Sequence, residues 1–243
     1  MAMQPTNTRS KSAAAKRAAP ARAPRKAARP GRPQKNNGDV RGRVLDVAEE
    51  LFAKHGFDGV STRVIARRAG ATSAMIHYYF DSKRALFDAV VARRADVLNE
   101  ERVTALDNYE ARAGDAVTVE GALEAFLGPV LAKLESGGEG WRHYLSLIAQ
   151  VGNNHEWGGE VMNRSFDPVV QRLIEVIKKA LPSAKDADLY WAYNFLSGAL
   201  TLTCSETGRI DRLSNGICRS TDIPEIAPRM IAFAAAGFRR VCG

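Results

Sequence analysis

The sequence predicts an all-α protein, a small N-terminal helical unit joined to a larger helical body. Two observations carry that prediction. From Arg41 onward, apolar residues recur at three- and four-residue steps over most of the chain, the period of an amphipathic helix. No segment alternates apolar and polar residues as a half-buried strand would, and no unit of about 20–50 residues repeats. With 243 residues and 45% hydrophobic content, the chain is long enough to bury a sizeable core and to hold two folded domains.

The elements follow in order. Residues 1–38 are dominated by Ala, Pro, Lys and Arg, with methionine as the only large apolar type. Such a composition cannot offset its own ordering entropy, so a disordered tail with a reach of roughly 30–40 Å is expected. The first helix begins at Arg41, with Val44, Val47, Ala48, Leu51 and Phe52 on one face and Asp46, Glu49 and Glu50 on the other. Lys54 and His55 suit its last turn, Gly56 stops it, and Phe57 folds back on it. Ser61 caps a second helix, Thr62 to Ala69, which turns Val64, Ile65 and Ala69 inward and ends at Gly70. Thr72 caps a short third helix, Ser73 to about Tyr79, anchored by Ile76, Tyr79 and Phe80.

Asp81 or Ser82 caps a long fourth helix reaching about Arg112, its apolar stripe formed by Leu86, Phe87, Val90, Val91, Val97 and Leu98. Further helices are expected at Glu120–Leu134, Trp141–Val151, Phe166–Leu181, Asp186–Glu206 and Glu225–Val241. A long connection, Ser205 to Glu225, precedes the last of them, and loops of that length are usually functional or mobile. The expected domains are therefore the tail (1–38), a first helical unit (39–98) and a second (99–243).

The net charge of +8 is unevenly placed. Residues 1–38 carry ten Lys or Arg and no acid, while the remainder holds 25 bases against 27 acids. Basicity belongs to the tail, where Arg29-Pro30-Gly31-Arg32-Pro33 contains the Gly-Arg-Pro core of an AT-hook, an extended arm for the narrow minor groove. A merely solvated basic tail with non-specific phosphate attraction is the plainer reading of the same residues. No run of about 18 apolar residues exists to cross a membrane. The N-terminus lacks the apolar stretch of a secretory signal, and its proline-rich, non-amphipathic character argues against a transit peptide. Cys204, Cys218 and Cys242 are odd in number and far apart, which excludes a disulfide framework or a Cys-x-x-Cys pair and points to a reducing cytoplasm.

The turn Ala69-Gly70-Ala71 between two short helices is a helix-turn-helix arrangement, whose second helix enters the DNA major groove. The third helix suits that task. Thr72, Ser73, Ala74, Met75, His77 and Tyr78 are small, apolar or hydrogen-bonding groups, and no carboxylate stands among them to repel phosphate. The polar ones suit base edges, and Ala74 or Met75 a thymine methyl. Arg63 stands in the first turn of the second helix, and Lys83 and Arg84 in the first turn of the fourth. Cations at helix N-termini oppose the dipole, and a phosphate bound there reverses that sign.

Residues 43–86 closely resemble the DNA-binding domain of the TetR family of bacterial repressors. The resemblance rests on Leu51-Phe52, Gly56-Phe57, Ser61-Thr62-Arg63-Val64-Ile65-Ala66, Ala69-Gly70-Ala71-Thr72, His77-Tyr78-Tyr79-Phe80 and Ser82-Lys83. Ala71-Thr72 replaces the family's usual Val-Ser, and His77 stands where tyrosine is frequent. The resemblance and the residue chemistry together make Arg29, Arg32, Thr62, Arg63, Thr72, Ser73, Ala74, Met75, His77, Tyr78 and Lys83 the expected DNA contacts. The expected target is a double-stranded, palindromic operator.

The resemblance further implies that the remaining two thirds dimerise, through the last two helices, and hold a small effector. In Asp186–Glu206, Trp191, Phe195, Ala199 and Leu202 form one stripe and Leu189, Tyr193, Leu196 and Leu200 another, so two sides need cover. In the last helix Ile226, Met230, Phe233, Gly237 and Val241 form a stripe, and Ala234-Ala235-Ala236 permits close approach of a partner helix. Phe126, Trp141, Tyr144, Trp157, Trp191, Asn194 and Phe195, with His143, are the candidate effector-lining residues; plain core is the commoner role of such rings. The segment from Trp141 through Thr203 is similar to a subgroup that answers to fatty acids or acyl thioesters, so the expected effector is apolar.

Other functions have less support. His155-Glu156 lacks the second histidine of a zinc-protease motif, and no phosphate-binding loop, dinucleotide fingerprint or nucleophile elbow occurs. No enzyme, cofactor or metal is expected. Cys218 reads as an ordinary thiol. An architectural DNA-coating protein driven by the basic tail is the alternative to a sequence-specific repressor.

Overall fold

The structure is a computed structural model describing residues 39–154 and 156–243. The tail, with Arg29, Arg32 and the AT-hook reading, lies outside the described residues, as does His155. The described chain is built of α1 (Val40–His55), α2 (Thr62–Ala69), α3 (Ser73–Phe80), α4 (Lys83–Ala113), a 3-10 turn at Gly114–Ala116, α5 (Val119–Ser136), α6 (Glu139–Gly152), α7 (Gly158–Ala180), α8 (Asp186–Cys204), the short α9 (Arg209–Leu213) and α10 (Ile223–Cys242). No strand occurs among the described residues.

Local chemistry sets the first four helices. Asp39 Oδ1 accepts from the Gly42 amide at 2.7 Å, Ser61 Oγ from Val64 at 3.3 Å, Thr72 Oγ1 from Met75 at 3.2 Å and Ser82 Oγ from Ala85 at 3.0 Å. Each side chain satisfies an amide that the helix start leaves without a partner. Gly70 closes α2 at φ 65°, in the left-handed region, and the Ala71 amide then reaches back to the Ala66 carbonyl at 2.9 Å. Ser82, not Asp81, caps α4.

Two apolar clusters form. One gathers Phe52, Ile65, Ile76, Phe80 and Phe87 from α1–α4, with Leu147, Val151 and Val161 from α6 and α7. The other is larger and joins Leu98 and Leu106 of α4 to Leu123, Phe126, Tyr144, Leu173, Leu196 and Phe238. Helix α4 runs unbroken for 31 residues from the first cluster into the second. The border expected at residue 98 falls within it.

Three expectations need correction. Helix α7 starts at Gly158 rather than Phe166. Pro168 suits a first turn, where its missing amide costs nothing, but burial of Val161 and Phe166 carries the helix through it. The connection before α10 is not wholly irregular, because it holds α9. Finally, Ala234 and Ala235 pack inside the chain's own core, while Ala236 and Gly237 face outward. A charge at Ala235 would therefore break the fold, not a contact between copies.

Candidate nucleic-acid interface and interior cavity

Helix α3 is held by one edge. Ile76 and Phe80, one turn apart, are buried against α1, α2 and α4, and Met75 is half-buried beside them. Thr72, Ser73, Ala74, His77 and Tyr78 are exposed on the other side, Tyr78 to 83%. Tyr79 is exposed as well, against the expectation of an inward anchor. Its ring packs on Tyr78 at 5.2 Å and Phe80 at 6.2 Å instead of entering the core. A 100° step per residue lets Ile76 and Phe80 share one face and leaves residue 79 at its margin.

The flanking cations are of two kinds. Arg63 is exposed and makes no ion pair among the described residues, and Thr62 beside it is half-buried. Lys83 and Arg84 make contacts within the chain. The Lys83 ammonium sits 4.3 Å from the Phe57 ring centroid, and Arg84 bonds Asp88 at 3.0 Å while lying 5.0 Å from the Trp157 ring. What faces outward at this end of α4 is its capped start beside Asp81 and Ser82. The exposed patch is thus polar groups on α3, followed in the chain by the capped start of α4, a surface suited to base edges and backbone phosphates.

A cavity of about 70 Å³ open to the centres of water molecules lies inside the second cluster. Its wall is Leu98 and Arg102 of α4, Phe126 and Val130 of α5, Tyr144, Leu145, Ile148 and Ala149 of α6, Met162 and Phe166 of α7, and Tyr193, Leu196, Ser197, Leu200, Thr201 and Cys204 of α8. Of the expected lining residues, Phe126 and Tyr144 are present, and the other six, His143 among them, are not part of the wall. Trp157 fills the first cluster, edge-on to Phe57 at 5.5 Å and Phe87 at 5.1 Å. Trp141 lies 5.8 Å from Tyr144, with Arg94 at 4.8 Å and Lys133 at 4.9 Å from its ring. Trp191 and Phe195 stack at 6.2 Å on the outer face of α8, 60% and 59% exposed, and Asn194 lies beside them.

Arg102 was not among the expected residues. It is 5% exposed, yet the sequence carried a signal: it interrupts the buried stripe Leu98, Arg102, Leu106 at four-residue steps. Burial lowers its pKa to about 10, and burial pushes the Cys204 thiol up to about 12 and the Tyr144 and Tyr193 phenols upward. Among the described residues, no group of His, Cys, Asp and Glu is placed to hold a metal ion, and no helix is long and apolar enough to cross a membrane.

Comparison with known proteins places both regions. Residues 44–90 match the family described as "Bacterial regulatory proteins, tetR family", and residues 124–237 match "Tetracyclin repressor-like, C-terminal domain". The chain is 32% identical over 60 residues to the biofilm operon icaADBC HTH-type negative transcriptional regulator IcaR of Staphylococcus aureus, covering 25% of this chain and 32% of that one. To the HTH-type transcriptional regulatory protein RaaS of Mycobacterium tuberculosis it is 33% identical over 101 residues, covering 40% and 46%. The chain thus spans less than half the length of these curated relatives.

Among solved structures, the fatty acid degradation regulator FadR of Bacillus halodurans superposes with a TM-score of 0.55 at 17% identity, over 84% of this chain and 99% of that one. A TetR-family transcriptional regulator of Streptomyces coelicolor does so with a TM-score of 0.51 at 22% identity, over 84% and 99%. At such identities the likeness is one of fold. The two matched regions together cover more than half of the chain and carry the helix-turn-helix and the helical body in that order: the chain belongs to the TetR family of transcriptional regulators.

Proposed function

We propose that this chain is a homodimeric, sequence-specific repressor that leaves its operator when a small, largely apolar molecule occupies the interior cavity. The observation that carries the reading is α3. Its exposed face, Thr72, Ser73, Ala74, His77 and Tyr78, is free of carboxylates. Thr62, Arg63 and the start of α4 at Lys83 then take phosphates on either side, and the basic tail adds attraction independent of sequence.

Dimerisation is supported by the outer face of α8 and α10. Trp191, Phe195 and Leu202 of α8 and Phe233 of α10 are all exposed, with Ile210 and Ile217 of the connection beside Leu202 and Phe233. An apolar patch of that extent marks an interaction surface, and a two-fold dimer presents two copies of α3 to successive major grooves. FadR of Bacillus halodurans, a fatty acid degradation regulator with this fold, makes a fatty acid or acyl thioester the first effector class to try. The role is regulatory rather than catalytic, and its setting the cytoplasm.

Selection of binding sites from random duplexes tests the reading. Recovery of one palindromic sequence supports it, whereas equal retention of all duplexes would establish an architectural protein that coats DNA through its tail.

A further inference from the structure

The cavity wall is mostly apolar, its polar members being Arg102 of α4, Tyr144 of α6 and Tyr193, Ser197, Thr201 and Cys204 of α8. The Arg102 Nε–H donates to the Phe126 carbonyl at 3.1 Å, and the guanidinium carbon lies 3.9 Å from the Phe126 ring centroid. Among the described residues no carboxylate pairs with it, and its terminal nitrogens meet no acceptor. The chain treats its other inward arginines differently: Arg93 and Arg94 share Glu49, and Arg172 bridges Asp107 and Glu110. The groups nearest Arg102 electrostatically are Tyr193, Cys204 and Tyr144, each held in its neutral form at ordinary pH because burial raises its pKa. Arg102 itself keeps its proton at ordinary pH. The cavity therefore encloses a single positive charge with no counter-charge, in a helical stripe where leucine would pack without penalty.

A second observation is independent of the first. The hydroxyl of Tyr144, an α6 residue in the wall of the same cavity, is fully buried and has no hydrogen-bond partner among the described residues. An arginine has only donors, and a phenol donates readily. Both unmet groups ask for an acceptor, and the uncompensated charge asks for a negative one.

We infer that the cavity binds an amphiphilic monocarboxylate, an organic acid whose carboxylate accepts from Arg102 and Tyr144 while its apolar body lies among Leu98, Leu196 and Leu200. The inference rests on reading this cavity as the effector site, and it narrows the effector to the free acid. An acyl thioester offers only a neutral carbonyl to the guanidinium, where a free acid offers a full negative charge. A phosphate would bring two charges to a single arginine.

Calorimetric titration of the full chain, without DNA, with octanoate and benzoate and with their neutral amides tests it. Each acid that enters is expected to bind roughly 10- to 100-fold more tightly than its amide, the worth of a charged hydrogen bond. Arg102→Met should abolish that preference, and Tyr144→Phe should narrow it, each variant being checked for folding by thermal melting. Equal binding of acid and amide, no binding of any acid, or an undiminished preference in Arg102→Met overturns the anion site. Should Arg102→Met fail to fold, the acid–amide comparison on the native chain decides alone. Operator release is read separately: an acid that binds but leaves the DNA complex intact sinks the release mechanism and keeps the site, whereas release by a neutral molecule with no binding of acid does the opposite.

Discussion

Arg94 grips Glu49 with two hydrogen bonds, from Nε at 2.7 Å and from a terminal nitrogen at 2.9 Å, around a carboxylate that is 2% exposed. Arg93 adds a third at 3.1 Å. The Arg94 guanidinium also lies 4.8 Å from the Trp141 ring, which packs on Tyr144 at the cavity wall. One buried ion cluster thus fastens α1 of the DNA-reading unit to α4 and rests on the helix that lines the cavity. Arg94→Ala is expected to lower stability by about 3 kcal/mol, since a carboxylate stripped of its main partner stays buried. Urea unfolding followed by circular dichroism measures it. A loss within about 0.5 kcal/mol, the range of an ordinary surface substitution, would show that Arg93 alone suffices.

The two faces of α3 are expected to respond differently. Tyr78→Ala and Ser73→Ala should each weaken operator binding by about 1–3 kcal/mol while the melting temperature holds, because both side chains are exposed. Phe80→Ala should instead cost about 3–5 kcal/mol of stability through loss of core packing. Melting curves beside operator titrations separate the two. A stable Phe80→Ala that fails only on DNA would mean the reading face lies elsewhere.

On the outer face of α8, Phe195→Glu should yield a folded monomer with little operator affinity, since the ring is exposed in the single chain and a charge is costly only where a partner buries it. Ala235→Asp should unfold the chain, its methyl being fully buried in the chain's own core. Sedimentation of both variants checks the contrast. A dimeric Phe195→Glu would move the interface off this face.

Deleting residues 1–38 removes ten positive charges and no negative one. The truncated chain should bind every duplex more weakly, with a shallower dependence of affinity on salt, yet select the same operator, because counterion release scales with phosphates neutralised. An unchanged salt slope would show that the tail does not touch DNA.

The helices were legible in the sequence because their signals are local. Ser61, Thr72 and Ser82 are short hydroxyl residues directly before apolar periodicity, and Gly70 follows it; each acts within four residues of itself. The inward face of α3 was only partly legible, since Tyr79 and Phe80 are both aromatic and rotation by a single residue decides between core and surface. The cavity was least legible. It depends on which faces of five separate helices meet, and spacing within one helix says nothing of that. So Trp157, chosen as a candidate lining residue, fills the core beneath the DNA-reading unit instead, and Trp191 and Phe195 point out of the fold. Arg102 was readable in principle, as a charge in a leucine stripe, because that anomaly is local too.

Helix α4 begins at the edge of the reading surface, at Lys83, and passes Arg102 nineteen residues later without interruption. At about 1.5 Å per residue the two are separated by about 28 Å of stiff rod. A rod of that length is a lever arm. Tilting it by about 6° about its cavity end carries the Lys83 end sideways by about 3 Å, close to the rise of one base pair, about 3.4 Å. In a two-fold dimer the symmetry-related swing of the second arm would double the error in spacing, so a tilt of a few degrees at the cavity would put both reading helices out of step with the groove.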